Sequence, residues 1–336
     1  NDGIDFNGSG LPTLNDVTVE RCTGTALART PVEAVPGFTG LDAANNGFNW
    51  IDVRDSVVEM GKSVELGPEN GIYGAVRMGS SRIVEEGADV TFTAGAIVKM
   101  ACDTRIDVSG QLFMRGTLGD PVLVVDDRND VGGDSNGDAD ATLPDRGWWR
   151  GIQFLDTADG SELEYTELSH GGRFIAGLEL SEAEIVADHV TIAEVSGDWS
   201  DLNGSSAPCQ FIACAVIENT SEAINNVRLD RAPDFLGTRV AGNGQDRMRV
   251  DIGSITGDVE LQEFNLVGGA IYVDAAVVLA DGASLTLGPD VALQMAFDTR
   301  IDVDGALHVE ADFERPVVIT SSTDTTVQLG AAGDPG

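Results

Sequence analysis

The chain has 336 residues, 42% of them apolar, and carries 56 acidic against 20 basic side chains for a net charge of −36. That balance excludes nucleic acid as a partner, since a basic surface is needed to neutralise phosphates, and it disfavours anionic membrane surfaces for the same reason. No run of about 18 apolar residues is present, so no transmembrane segment is expected. The carboxylate excess suits a solvated surface in salty or calcium-bearing surroundings, where counterions screen self-repulsion.

In chain order, Gly3-Ile-Asp-Phe6 and then Leu14-Asn-Asp-Val-Thr-Val19 alternate apolar and polar residues and read as short strands. Residues 29–53 match no repeat and read as an insertion that contains Trp50. Strands follow at 81–93, broken by the turn Glu86-Gly-Ala, and at 96–100, 105–108, 111–114 and 122–125, with Gly110 and Gly119-Asp-Pro121 as breaks. Beyond an acidic loop, Trp148 and Trp149 introduce Gly151-Ile-Gln-Phe154 and Leu163-Glu-Tyr-Thr-Glu-Leu168, an echo of the chain's opening segments. Residues 181–187 are the one helix candidate, and 195–213 read as a second insertion, holding Trp199.

The closing third repeats the first. Met100-Ala-Cys-Asp-Thr-Arg-Ile-Asp-Val108 returns as Met295-Ala-Phe-Asp-Thr-Arg-Ile-Asp-Val303, and 76–127 matches 271–322 without a gap at an offset of 195 residues. Self-similarity of this kind marks a solenoid, in which short strands that cannot bury a face alone stack in register on the next coil. At roughly 22 residues a coil the chain would make about fifteen coils and a rod about 70 Å long. The expected organisation is one elongated body from a duplicated module, about 1–141 and about 142–336.

Several residue groups could carry chemistry. Asp130, Asp134, Asn136, Asp138 and Asp140 place side-chain oxygens along a glycine-broken loop, the supply that calcium needs to collect six to eight ligands, although the glycine spacing is not that of an EF-hand. Calcium would fix the loop and take no part in catalysis. Cys209 and Cys214 are close enough to close a short disulfide loop, which points to an oxidising compartment. Cys102, at the position of Phe297 in the second copy, reads as a small buried hydrophobe, and sequence leaves its pairing with Cys22 open.

Asp103, Arg105 and Asp107 recur as Asp298, Arg300 and Asp302. Paired carboxylates beside an arginine can serve glycoside hydrolysis. Their retention in both copies favours a surface ladder of charge pairs across stacked coils. His170, His189 and His308 lie in no triad or zinc pattern. The four tryptophans divide between packing, expected for Trp148 and Trp149, and stacking on sugar rings, left open for Trp50 and Trp199.

The order formed by Gly282–Val291, Ile301–Leu307, Pro316–Thr320, the 126–146 loop, Trp149–Phe154 and Leu163–Tyr165 resembles the right-handed parallel β-helix repeats of secreted and surface-attached bacterial or archaeal proteins. The resemblance covers most of the chain and implies an all-β, right-handed parallel β-helix with inserted loops. It fixes function poorly, since that group includes adhesins, polymer-forming surface proteins and some polysaccharide-acting enzymes.

The second copy runs through Val317, Val318 and Ile319 and stops where a strand like Gly3, Ile4 and Phe6 should come next, with no capping helix at either terminus. Open solenoid ends of matching pattern stack head to tail, and a contact that does not close makes a filament. The leading expectation is therefore a non-enzymatic, extracellular or surface structural filament, with itself or surface glycans as partner. A stalk segment of a larger adhesin is the alternative. A carbohydrate-active enzyme working through Asp103 or Asp298 is the remaining one.

Overall fold

The computed structural model describes residues 1–7, 10–54, 57–134, 136–138, 141–174, 176–198, 200–202 and 205–323. Strands of two to seven residues, and one of eleven, stack in parallel into a β-solenoid of about 13 turns. One face is a row of ten strands from Ile4–Asp5 to Arg239–Ala241, a second runs from Val57–Val58 to Val318–Ser321, and a third from Ser63–Leu66 to Phe235–Leu236. Coils are slightly longer than expected: Leu168, Ile192, Val216 and Val240 stack in register 24 residues apart.

Alternation decides which residues face inward, because successive side chains on a strand point to opposite sides. On Asp89–Thr93, Val90 and Phe92 enter the core while Asp89, Thr91 and Thr93 line the surface. The same column continues upward as Leu112 and Met114, then Leu163, which makes one unbroken apolar interior. Each coil thus buries the face of the one before it, the nearest-neighbour arrangement that stabilises solenoids.

The nine-residue repeat has a local explanation. Asp103 and Asp298 turn the chain with φ of 62° and 63°, a conformation aspartate tolerates better than most residues. Thr104 and Thr299 then close the turn by donating to the carbonyls of Ala101 and Ala296 at 2.6 and 2.8 Å. Arg105 pairs with Asp107 at 2.9 Å, and Arg300 with Asp302 at 2.9 Å, so these two pairs run along the chain within one coil. Across coils, Asp103 meets Arg173 at 3.4 Å and Arg150 at 3.8 Å.

The duplication extends further than the sequence match. Residues 29–53 are no insertion: Thr25–Thr30, the 3-10 turn Val32–Gly37, Phe38–Thr39 and Phe48–Val53 find their counterparts 197 residues on in Glu222–Arg228, Leu229–Asp234, Phe235–Leu236 and Gln245–Ile255. In both copies a further 3-10 turn, Pro68–Asn70 or Glu263–Asn265, covers the end of a strand row. A buried asparagine fastens it. Asn70 donates to the carbonyls of Phe38 (3.0 Å) and Pro36 (3.3 Å) and accepts from Gly67 N (2.8 Å); Asn265 does the same with Phe235, Pro233 and Gln262 at 3.1, 3.1 and 2.9 Å. The offset amounts to seven coils and one further face, so Ile51 sits on the first face and its counterpart Met248 on the second.

Two other expectations are corrected. The 181–187 segment holds no helix but the start of strand Ile185–Asp188, where Ile185 and Ala187 are both buried. The 195–213 segment is likewise part of the coil, contributing Ser200–Asp201 and Gln210–Ile212 to two faces.

Candidate functional site

The first face carries an outward aromatic and charged column where the acidic loop leaves the rod. On Phe48–Val53, Ile51 and Val53 point into the core, and Phe48, Trp50 and Asp52 point out. The Phe48 and Trp50 rings stack at 4.6 Å, nearly parallel. One coil on, Arg77 lies 4.3 Å from the Trp50 ring and pairs with Asp52 at 2.5 Å and Asp127 at 2.9 Å.

The loop is closed by charge at its base. Fully buried Asp126 pairs with Arg128 at 2.6 Å and accepts Asp145 N at 2.9 Å, which ties the loop's first residues to its last. Arg128 in turn covers Trp148 at 3.5 Å, and the Trp148 indole donates to Asp127 at 2.7 Å. Lys99, buried beneath, donates to the carbonyls of Asn129 (2.9 Å) and Gly133 (3.2 Å). Burial pushes its ammonium down to about 8, against the pull of Asp130, Asp127 and Asp134.

Loop and column enclose a cleft of about 540 Å³ lined by Phe48, Trp50, Trp148, Asp52, Asp127 and Arg77, with Asn136, Asp138 and Thr142 on the loop side. Trp50 is only 8% exposed, yet among the described residues its Nε1 meets no acceptor, and Oδ1 of Asp138 is buried without a donor. Sequence singled out Trp50 and the loop separately. Their meeting, and the part of Phe48, follow from coil register and could not be read locally.

Three of the side chains expected to ligate calcium accept hydrogen bonds within the loop. Asp134 accepts from Gly137 N (2.8 Å) and Asp138 N (3.2 Å), Asn136 also from Asp138 N (3.2 Å), and Asp138 from the Thr142 hydroxyl (2.6 Å). Asp130 holds Gly133 N through its backbone carbonyl at 2.8 Å, and Asp140 lies outside the described residues. Among the described residues no group of three or more His, Cys, Asp or Glu is gathered around one point.

The cysteine expectation is corrected: all four thiols are free. Cys209 and Cys214 sit at the two ends of strand Gln210–Ile212, and each buried Sγ points to its own carbonyl, Ala183 at 3.2 Å and Ala187 at 3.5 Å. Burial raises them to about 11 and about 12, which makes both poor nucleophiles. Cys102 is exposed, not buried, and so is Phe297 at the matching position, because both follow the strand on the outward turn. Trp149 packs in the core, as expected; Trp199 lies outside the described residues.

The sequence also gave no hint of a polar row on the second face, where Asp107, Gln153, Glu179 and Asp201 stack on successive coils. Burial raises the Asp107 and Glu179 carboxyls, and Asp201 adds to the effect on Glu179.

The two ends of the rod leave core-facing residues partly uncovered. Ile4, Phe6 and Leu14 pack on the interior from one side only, as does Val317 at the other end. Val303, Val309 and Ile319 are 46%, 53% and 46% exposed, whereas Val108, Met114 and Val124, their counterparts in the first copy, are fully buried by the following coil. Val318 lies on the same last strand, Val318–Ser321. Compared with known proteins, the chain matches no family model, no curated protein and no solved structure.

Proposed function

We propose that the protein is a structural β-solenoid, secreted or displayed on a cell surface, that stacks head to tail into a filament. The support lies in the last coil: its inward positions keep Val303, Val309 and Ile319, apolar residues that in the first copy serve only to be covered by another coil. At the opposite end Gly3-Ile-Asp-Phe6 presents Ile4 and Phe6 toward the core as Gly151-Ile-Gln-Phe154 presents Ile152 and Phe154, so a second copy offers a coil of the right pattern. The net charge of −36 keeps the flanks of such rods apart and leaves the ends as the contact.

Negative-stain imaging of the concentrated chain tests this. Filaments with an axial repeat of about 60 Å, thirteen coils at about 4.8 Å, are expected; monodisperse short rods would refute self-stacking. Such rods would favour the second reading, a stalk segment whose end coil is covered by more of its own chain. Calcium belongs to this reading as an accessory ligand of the 130–140 loop. It must displace backbone N–H groups from Asp134 and Asn136 and the Thr142 hydroxyl from Asp138, so weak binding is expected, with Kd on the order of 10⁻⁴–10⁻³ M, and titration calorimetry after chelator treatment measures it.

A further inference from the structure

We propose that the cleft between Phe48–Val53 and the acidic loop binds neutral pyranose units of a glycan. The proposal is independent of filament formation. The coil itself does not require the cleft: at the matching positions of the second copy Gln245, Arg247 and Arg249 replace Phe48, Trp50 and Asp52, and Ser322 replaces Asp127. The arginine–aromatic pair survives there with its members exchanged, Arg247 lying 3.6 Å from Tyr272, which identifies that pair as scaffold. Phe48, Trp148 and the loop are what the first copy adds.

What they add suits a sugar. A pyranose has an apolar face of C–H groups, for which an aromatic ring is the usual platform, and a rim of hydroxyls that both donate and accept. Phe48 is 40% exposed at the cleft mouth and backed by the Trp50 ring. Trp50 Nε1 and Asp138 Oδ1, a donor and an acceptor without partners among the described residues, are groups that hydroxyls entering between Phe48 and the loop would satisfy. The cleft's volume falls within the roughly 300–1,000 Å³ of small-molecule sites.

Charge selects the class of sugar. Arg77 is committed to Asp52 and Asp127, and Arg128 to Asp126. With Asp138 also on the wall, the described residues of the cleft offer an anion no unpaired cation, and uronates are repelled.

The test uses the full chain with cellohexaose, maltohexaose, mannohexaose, chitohexaose and hexagalacturonate, followed by tryptophan fluorescence and calorimetry. At least one neutral hexasaccharide is expected to bind saturably, with Kd on the order of 0.1–1 mM. Phe48→Gln, which installs the residue of the second copy, should weaken it about tenfold with an unchanged circular dichroism spectrum, and Asp138→Asn should weaken it also. The proposal is overturned if no neutral oligosaccharide binds at about 10 mM, if folded Phe48→Gln binds as well as the parent, or if hexagalacturonate binds as tightly as the neutral sugars.

Discussion

The two copies place the same residues in different surroundings, and the contrast separates what a strand's sequence determines from what its neighbour does. Val108, Met114 and Val124 are sealed by a following coil, while Val303, Val309 and Ile319 face the rod's end. Burial in a solenoid is thus a property of the interface between coils. Met114→Ala should cost about 2–4 kcal/mol through the cavity it opens, whereas Val309→Ala should cost less than about 1 kcal/mol in the isolated chain. Urea unfolding of the two variants at low protein concentration measures this, and equal losses would mean that the last coil is covered in solution. A companion variant, Val309→Asp, should leave the monomer folded and abolish end-to-end stacking.

Where the copies are alike, their variants should respond alike. Asn70→Ala and Asn265→Ala each strand two buried carbonyls and one backbone N–H at the end of a strand row, which costs about 2–3 kcal/mol by the ordinary penalty for unsatisfied groups. Hydrogen exchange at Phe38 and Phe235 would show the rows fraying. A large effect at one asparagine and none at the other would contradict the equivalence of the two turns.

The duplication shows how much the sequence discloses. Periodic alternation and the repeated Asp-Thr-Arg turn made the solenoid legible, because both are local consequences of strand geometry and of a left-handed turn at Asp103 and Asp298. Residues 29–53 read as an insertion because their counterparts keep conformation and burial while changing identity, Trp50 to Arg247 and Asp52 to Arg249. The cleft was illegible for another reason: Trp50, Arg77 and Asp127 meet only through coil stacking, over separations of 27 and 50 residues. The expected bridge failed because spacing along a chain does not fix where side chains point, and Cys209 and Cys214 flank an extended strand.

One ionisable difference between the copies sharpens the comparison by pH. Asp234 stands where the first copy has Gly37, and burial raises its carboxyl to about 6 from an ordinary 3.8, against Arg231 and Cys209 N. The folded state therefore binds more protons than the unfolded state between those values. The group's contribution is fully present below about pH 4 and is lost as pH rises through about 6. Asp234→Asn escapes that loss and should gain about 1 kcal/mol at pH 7, after discount for partial solvent screening, and nothing at pH 4. Urea midpoints at the two pH values decide it, and a gain that did not depend on pH would rule out the carboxylate as its cause.

The smallest expected effect on stability separates the loop from the rod. Gln294 in the second copy matches Lys99, whose ammonium holds the loop carbonyls of Asn129 and Gly133. Those bonds are offset by the cost of burying the charge, as the lowered pKa of Lys99 shows. Lys99→Gln should therefore change global stability by less than about 1 kcal/mol. It should nevertheless release the loop, since a neutral, shorter side chain cannot reach both carbonyls. Trypsin cleavage after Arg128, slow in the parent because that side chain is clamped between Asp126 and Trp148, should quicken several-fold. An unchanged cleavage rate would show that the Asp126 clamp alone holds the loop, and that the first copy's lysine is a tolerated burial with no part in shaping the cleft.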